Sequence, residues 1–408
     1  MNNGPSDISL LIMLMGGCLV AVIFIRSLSS KISLPSIVGY LVLGVLIRVS
    51  DNYLPLLTEE AWQIFEFLAQ IGIFTLLFRI GLESDLAGLI KQIRSASWIW
   101  FCGVALSSVL GFVGAYYLLQ LELIQSLFIA IAMTATSVGI PVSVWNEANA
   151  LKSRRGELLL DVAEMDDISG VVFMALLFSI VPVLRTQSGA SLIPILSKNI
   201  VLISLKLITF GALCWFFSRY IEENITSFFK DIDSSPDPML VVTGIGIIIA
   251  AGAGMLGFSI AIGAFFAGIV FSRDPNAVKL DASFETLYDF FSPFFFIVIG
   301  LKIEPGSFGG ALGTGVILLI IAILGKMIGH GVPAYFADNK IGFLLIGFSM
   351  IPRAEITMVI LERGKALGDW AVSSKIFTAM VLVSTATCIL SPIIIRKLLN
   401  RWHQNTEE

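Results

Sequence analysis

The segment LLLDVAEMDDISGVVFMALLF, residues 158–178, carries four carboxylates, Asp161, Glu164, Asp166 and Asp167, inside an otherwise apolar run. Whether that run lies in water or in hydrocarbon decides the fold. The chain of 408 residues is 56% hydrophobic and 14% charged, with a mean hydropathy of +0.91. That is far from the balance of a soluble globular domain. Apolar runs long enough to cross a bilayer recur from end to end. They fall roughly at 8–25, 32–49, 62–82, 97–119, 123–145, 157–184, 192–218, 238–256, 258–272, 284–301, 311–334, 340–362 and 372–396. About thirteen spans predict an all-α polytopic membrane protein, with residues 1–408 as a single membrane domain.

The flank MNNGPSD lacks the basic region of a signal peptide, and no small-residue cleavage site follows the first run. That run reads as a retained helix. Cys18, Cys102, Cys214 and Cys388 stand singly in apolar spans, with no CxxC and no His cluster. They read as small core hydrophobes rather than metal ligands or disulfides. The net charge is −4 and no basic stripe points to nucleic acid. Loops at 26–31, 83–96, 146–156, 219–237 and 273–283, with the carboxyl-terminal tail, hold about fifteen Lys and Arg against about five on the opposite side. The asymmetry predicts a multi-pass protein of the inner (plasma) membrane, amino terminus outside and carboxyl terminus cytoplasmic. The tail RKLLNRWHQNTEE offers no cytoplasmic nucleotide-binding domain.

Depth sharpens the opening segment. If the span enters near Glu157, Asp167 lies about 15 Å in, close to the middle of a hydrocarbon layer about 30 Å thick. Asp161 is only about 6 Å deep and meets water at the helix end. At about 100° per residue, Glu164 and Asp167 share a face while Asp166 points elsewhere. Intramembrane acids are costly, so they mark functional sites; the bland alternative is a polar network that packs helices. Counter-charges are few: Lys326 in IAILGKMIGH and Arg353 in SMIPRAEITMV both fall near the same depth. Arg79 lies near a helix end, where snorkelling accounts for it. His330 follows Lys326 by one turn on the same face and reads as a satisfied helix-end histidine, with a pH-sensing role as the alternative.

Two spans look broken at mid-depth. IAIAMTATSVGIPVSVW clusters Thr134, Thr136, Ser137, Gly139 and Pro141; LLIGFSMIPRAEITMVI carries Gly347, Ser349 and Pro352. Proline removes a backbone donor and frees a carbonyl, which favours a break. The two lie seven spans apart, an odd number, so they run in opposite directions. Interrupted segments at matching places of two inverted repeats point to a transporter's site.

On these residues the chain resembles the second bacterial monovalent cation:proton antiporter family, which includes sodium/proton antiporters and the membrane part of potassium-efflux systems. The resemblance rests on LPSIVGYLVLGVLI at 34–47, GIFTLLFRIGLESDL at 72–86, TATSVGIPVSVWNEANALKSRRGELLLDVAEMDD at 134–167, GAFFAGIVFSRD at 263–274, SPFFFIVIGLKIE at 292–304 and SMIPRAE at 349–355, in the family's order. It implies a core of two crossed broken helices, with core-type helices about 62–184 and 284–396, and a separate dimerisation domain, so a homodimer. It implies that Asp167 binds cation and proton alternately, that Asp166 pairs with Lys326, and that the breaks cross around Thr136 and Pro352. Paired Asp residues imply electrogenic exchange. Three positions depart from the family pattern: Glu164, Arg79, and Arg353-Ala354-Glu355 in place of Arg-Gly-Glu.

The chemistry expected is antiport rather than enzyme catalysis. A hard cation takes oxygens: the Asp167 carboxylate, freed carbonyls of the broken helices, the Thr136 hydroxyl and water, with Asp166 and Glu164 beside them. Proton and cation compete for one carboxylate, and neutralisation by either lets the site cross the membrane's middle. Na+ is the first expectation for the cation, with Li+ or K+ behind it; no cofactor is expected beyond the transported ions, and lipid is the solvent. A cation channel and an intramembrane aspartyl enzyme are the rival readings.

Overall fold

The computed structural model describes residues 5–407 apart from 33, 54–56, 85, 187–191, 223, 226–227, 229–237, 273–281 and 338–339. The basic loops at 229–237 and 273–281, used in the charge comparison, lie outside the described residues. So do Arg273 and Asp274, which end one of the motifs. Among the described residues there are helices and no strands, as hydrocarbon demands of a backbone that must satisfy its own polar groups.

Eight described helical stretches are long and apolar enough to cross a bilayer. They belong to α1 (Pro5–Ile32), α3 (Glu59–Glu83), α4 (Leu86–Val113, continued by a π turn at Gly114–Leu118), α7 (Arg154–Thr186), α8 (Leu192–Tyr220), α11 (Ala282–Leu301), α12 (Phe308–Ala337) and α15 (Ser374–Glu407). The other expected spans correspond to shorter helices. These are α2 (Ser36–Asp51), α9 (Pro238–Met255), α10 (Ile260–Phe271), and two interrupted pairs, α5 (Leu123–Ala132) with α6 (Gly139–Glu147) and α13 (Lys340–Ser349) with α14 (Glu355–Leu367). The chain is a multi-pass membrane protein. It divides into two compact units: Met1–Ile71, Ile93–Asp166 and Phe290–Glu408 in one, Gly72–Gln92 and Asp167–Asp289 in the other. Helices α3, α4, α7 and α11 each contribute residues to both units.

The larger unit holds both interrupted pairs. The first break spans Met133–Val138, so Gly139 and Pro141 are not in it: they open α6. This corrects their reading as break residues. Proline fits the first turn of a helix because the missing N–H would have had no partner there. The second break runs from Met350 to Ala354, with Ser349 ending α13 and Glu355 opening α14. The two breaks touch, since Ser137 N–H donates to the Pro352 carbonyl at 2.8 Å. Helix α12 packs on α13 and α15. It also meets α4 at Gly103 and Gly329, where a Cβ on Gly329 would sit 2.8 Å from the Gly103 Cα.

The smaller unit is built on a similar close approach. A Cβ on Gly268 of α10 would lie 2.8 Å from the Gly81 Cα of α3. Around it Phe78 stacks on Phe74 at 5.4 Å and meets Phe284 at 5.6 Å. Arg79 pairs with Glu83 at 2.8 Å and lies 4.4 Å over the Tyr288 ring. That adds two partners to the snorkelling expected of it.

Candidate functional site

Ending α5 in mid-span leaves its last carbonyls without intrahelical donors. Buried side chains supply them. The Arg353 guanidinium donates to the carbonyls of Met133, Ala135 (3.1 Å) and Ala322 (3.3 Å). Thr357 Oγ1 donates to the Ala132 carbonyl at 2.9 Å and Lys326 Nζ to the Thr134 carbonyl at 2.5 Å. Two cations at a helix carboxyl end also complement its partial negative charge. The carbonyls freed at the first break are thus taken by Arg353 and Lys326. For Met133, Thr134 and Ala135 this revises the expectation that they face a transported cation.

Lys326 Nζ also contacts Asp166 Oδ2 at 2.5 Å, and both side chains are fully buried. Thr136 Oγ1 donates to the same oxygen at 2.7 Å, with the Met350 carbonyl at 3.3 Å as a second acceptor. Asp166 Oδ1 faces His330 Nε2 at 3.7 Å. His330 is fully buried, and neither ring nitrogen has a hydrogen-bond partner among the described residues. The reading of a satisfied helix-end histidine is corrected: the ring lies against Gly103, whose missing side chain makes the room. Desolvating such charges costs several kcal/mol per ion, which close pairing and added hydrogen bonds must offset.

The structure thus brings Thr134, Thr136, Ser137, Asp166, Lys326, Pro352 and Arg353 together at the crossing. Asp167, the next residue of α7, is 9% exposed, and Glu164 one turn earlier is half-buried. Glu355 sits half-buried in the first turn of α14, where an acid suits the helix's positive end. Ser349 Oγ accepts from the fully buried Trp145 indole N–H at 2.9 Å. Trp145 and Thr357 were missed in the sequence. Only Trp145 left a signal, since a tryptophan in an apolar span needs a partner for its N–H.

A model of the sodium/hydrogen exchanger transmembrane domain matches residues 18–401. The chain belongs to the sodium/hydrogen exchanger family. It is 28% identical over 392 residues to the high-affinity Na+/H+ antiporter NhaS3 of Synechocystis sp., covering 87% of this chain and 83% of that one. It is 26% identical to a Na+/H+ antiporter of Enterococcus hirae (95% and 97% covered). To the Na+/H+-K+ antiporter GerN of Bacillus cereus it is 28% identical (90% and 91% covered). Among solved structures, the sodium proton antiporter MjNhaP1 of Methanocaldococcus jannaschii superposes with a TM-score of 0.71 at 14% identity, covering 96% and 98% of the two chains, which establishes the shared fold. The rival readings, a channel or an intramembrane aspartyl enzyme, find no support in these similarities.

Proposed function

We propose that the protein is a secondary active antiporter that exchanges a monovalent cation, Na+ first and Li+ or K+ behind it, for protons by alternating access. One observation carries the reading: an acid pair on one membrane helix, of which Asp166 is held by Lys326 and Thr136 at the crossing of two broken helices. Asp166 already has its counter-charge. The neighbouring Asp167 points about 100° away, and we assign it the alternating ligand. A proton bound at Asp167 neutralises it for one crossing and the cation neutralises it for the other; the bare carboxylate is the form that hydrocarbon penalises. Thr136 and Glu164 contribute oxygens beside it, and Arg353 and Glu355 keep the breaks in place. Exchange of more than one proton per cation makes the cycle electrogenic.

The amino terminus faces outside, the carboxyl terminus faces the cytoplasm, and the plasma membrane is the site of action. Helix α1 presents exposed Ile12, Met13, Val20, Ile23 and Phe24, a face suited to lipid or to a second copy in a homodimer. Purified protein in liposomes with a trapped pH dye tests the function: Na+, Li+ and K+ are added in turn, and alkalinisation or acidification is read. Asp167→Asn should abolish the response while the protein stays folded, because an amide cannot alternate between protonated and charged states. A folded Asp167→Asn protein that still exchanges would overturn the assignment.

A further inference from the structure

Helix α15 has 34 residues, about 51 Å at 1.5 Å per residue, against a hydrocarbon layer of about 30 Å. The helix is thus about 20 Å longer than that layer, and its charged end is the carboxyl-terminal one, with Arg396, Lys397 and Arg401, yet that end does not hang free. Arg396 pairs with Glu147 at the end of α6 at 2.8 Å. Arg155, at the start of α7, lies 5.0 Å over the Trp402 ring. The Trp402 ring in turn meets Trp145 at 6.4 Å between centroids, tilted by 51°.

Trp145 is the pivotal residue of this arrangement. It is the largest fully buried side chain described, seated in a cluster with Leu159, Leu345, Ile395 and Leu399. An indole nitrogen is a donor only and needs an acceptor when buried; here that acceptor is Ser349 Oγ. Ser349 is the last residue of α13, and the next carbonyl, of Met350, lies 3.3 Å from the Thr136 hydroxyl, whose proton goes to Asp166 Oδ2 at 2.7 Å. Trp145 therefore joins one half of each broken helix, and Trp402 leans on it from the carboxyl-terminal end of α15.

We propose that Trp145 is a positioning residue for the ion site, and that the carboxyl-terminal end of α15 acts on the second helix break through Trp402, Trp145 and Ser349. This rests on the antiport reading. The functional consequence is that anything displacing the end of α15, a change at the tail or a molecule bound to it, alters the cation affinity of a site several helical turns away.

Spatial continuity does not by itself establish coupling, so the test measures coupling directly. Trp145→Phe keeps the bulk and removes the N–H; Trp402→Ala removes the outer contacts, to Trp145 and Arg155, and leaves Trp145 itself in place should Trp145→Phe fold poorly. Each should raise the cation KM, with kcat held within about twofold. For Trp145→Phe the rise should be on the order of fivefold, the equivalent of one ordinary hydrogen bond. The double variant should fall short of the product of the two effects, the mark of a shared path. Amide hydrogen exchange, read by mass spectrometry on the same proteins without any transport, should quicken over 346–351 and at Ser137 in both variants. That arm stands even if the protein moves no cation, so failure of the antiport reading and failure of this one are told apart. Wild-type exchange over 346–351 in Trp402→Ala, or KM effects that simply multiply, would overturn the proposal.

Discussion

At the scale of single residues, the site is governed by charges that water does not reach. Asp166 and Lys326 are both fully buried and in contact, so each is tolerable only because of the other. Removing one partner of a buried pair leaves an uncompensated charge, at a cost of roughly 3–5 kcal/mol, whereas removing both can be nearly neutral. Lys326→Ala should therefore lower the melting temperature of the detergent-extracted protein far more than a lipid-facing substitution does. Asp166→Asn combined with Lys326→Gln should recover much of the loss. Strict additivity in that double-mutant cycle would contradict the pairing. Arg353 behaves differently: its described hydrogen bonds go to carbonyls, so its charge serves the backbone of the break.

At the scale of elements, the packing of α4 on α12 controls where His330 goes. The imidazole occupies the space that a side chain on Gly103 would take. Gly103→Ala must then push the ring or part the helices, with overpacking costs of about 1–3 kcal/mol. Adding His330→Ala to Gly103→Ala should restore thermal stability toward that of His330→Ala alone. Thermal melts of the three variants check this, and equal losses with and without the imidazole would show that the clash lies elsewhere. The breaks obey the same steric logic. Thr134, Thr136 and Ser137 lie in the first break, and hydroxyl-bearing side chains that bond the backbone make poor helix interiors. Gly139 and Pro141 were misplaced because a proline near a break can end one helix or begin the next, and composition does not say which.

At the scale of the whole chain, one contact ties positions far apart in sequence. Lys302, just past the end of α11, bridges Glu66 of α3 at 3.1 Å and Glu362 of α14 at 3.0 Å. Burial pulls the Lys302 ammonium down, but Glu362 and then Glu66 outweigh it and hold it above the ordinary lysine value of 10.5. A raised folded value means that the clasp's stability is complete below the unfolded value and is lost only as pH rises through the folded one. Lys302→Met should therefore lower stability equally at pH 7 and pH 9, by about 1–2 kcal/mol. The gap should close only above about pH 10.5. Melting curves from pH 7 to 11 check it; a gap already shrinking between pH 7 and 9 would mean that burial outweighs the two acids.

What the sequence determined by itself was class and placement. Hydrocarbon imposes apolar runs of a set length and makes every ionisable residue within them conspicuous, so the all-helical membrane class, the acid pair, Lys326 and Arg353 could be found by counting. What only the tertiary structure decided was which partner each polar group meets. Asp166 takes Lys326 and Thr136, Arg353 takes the carbonyls of the opposite break, and Trp145 takes Ser349. Those pairings join residues about 30 to 220 positions apart. They depend on helix crossings set by small residues such as Gly103 and Gly329, whose close approach no local periodicity records.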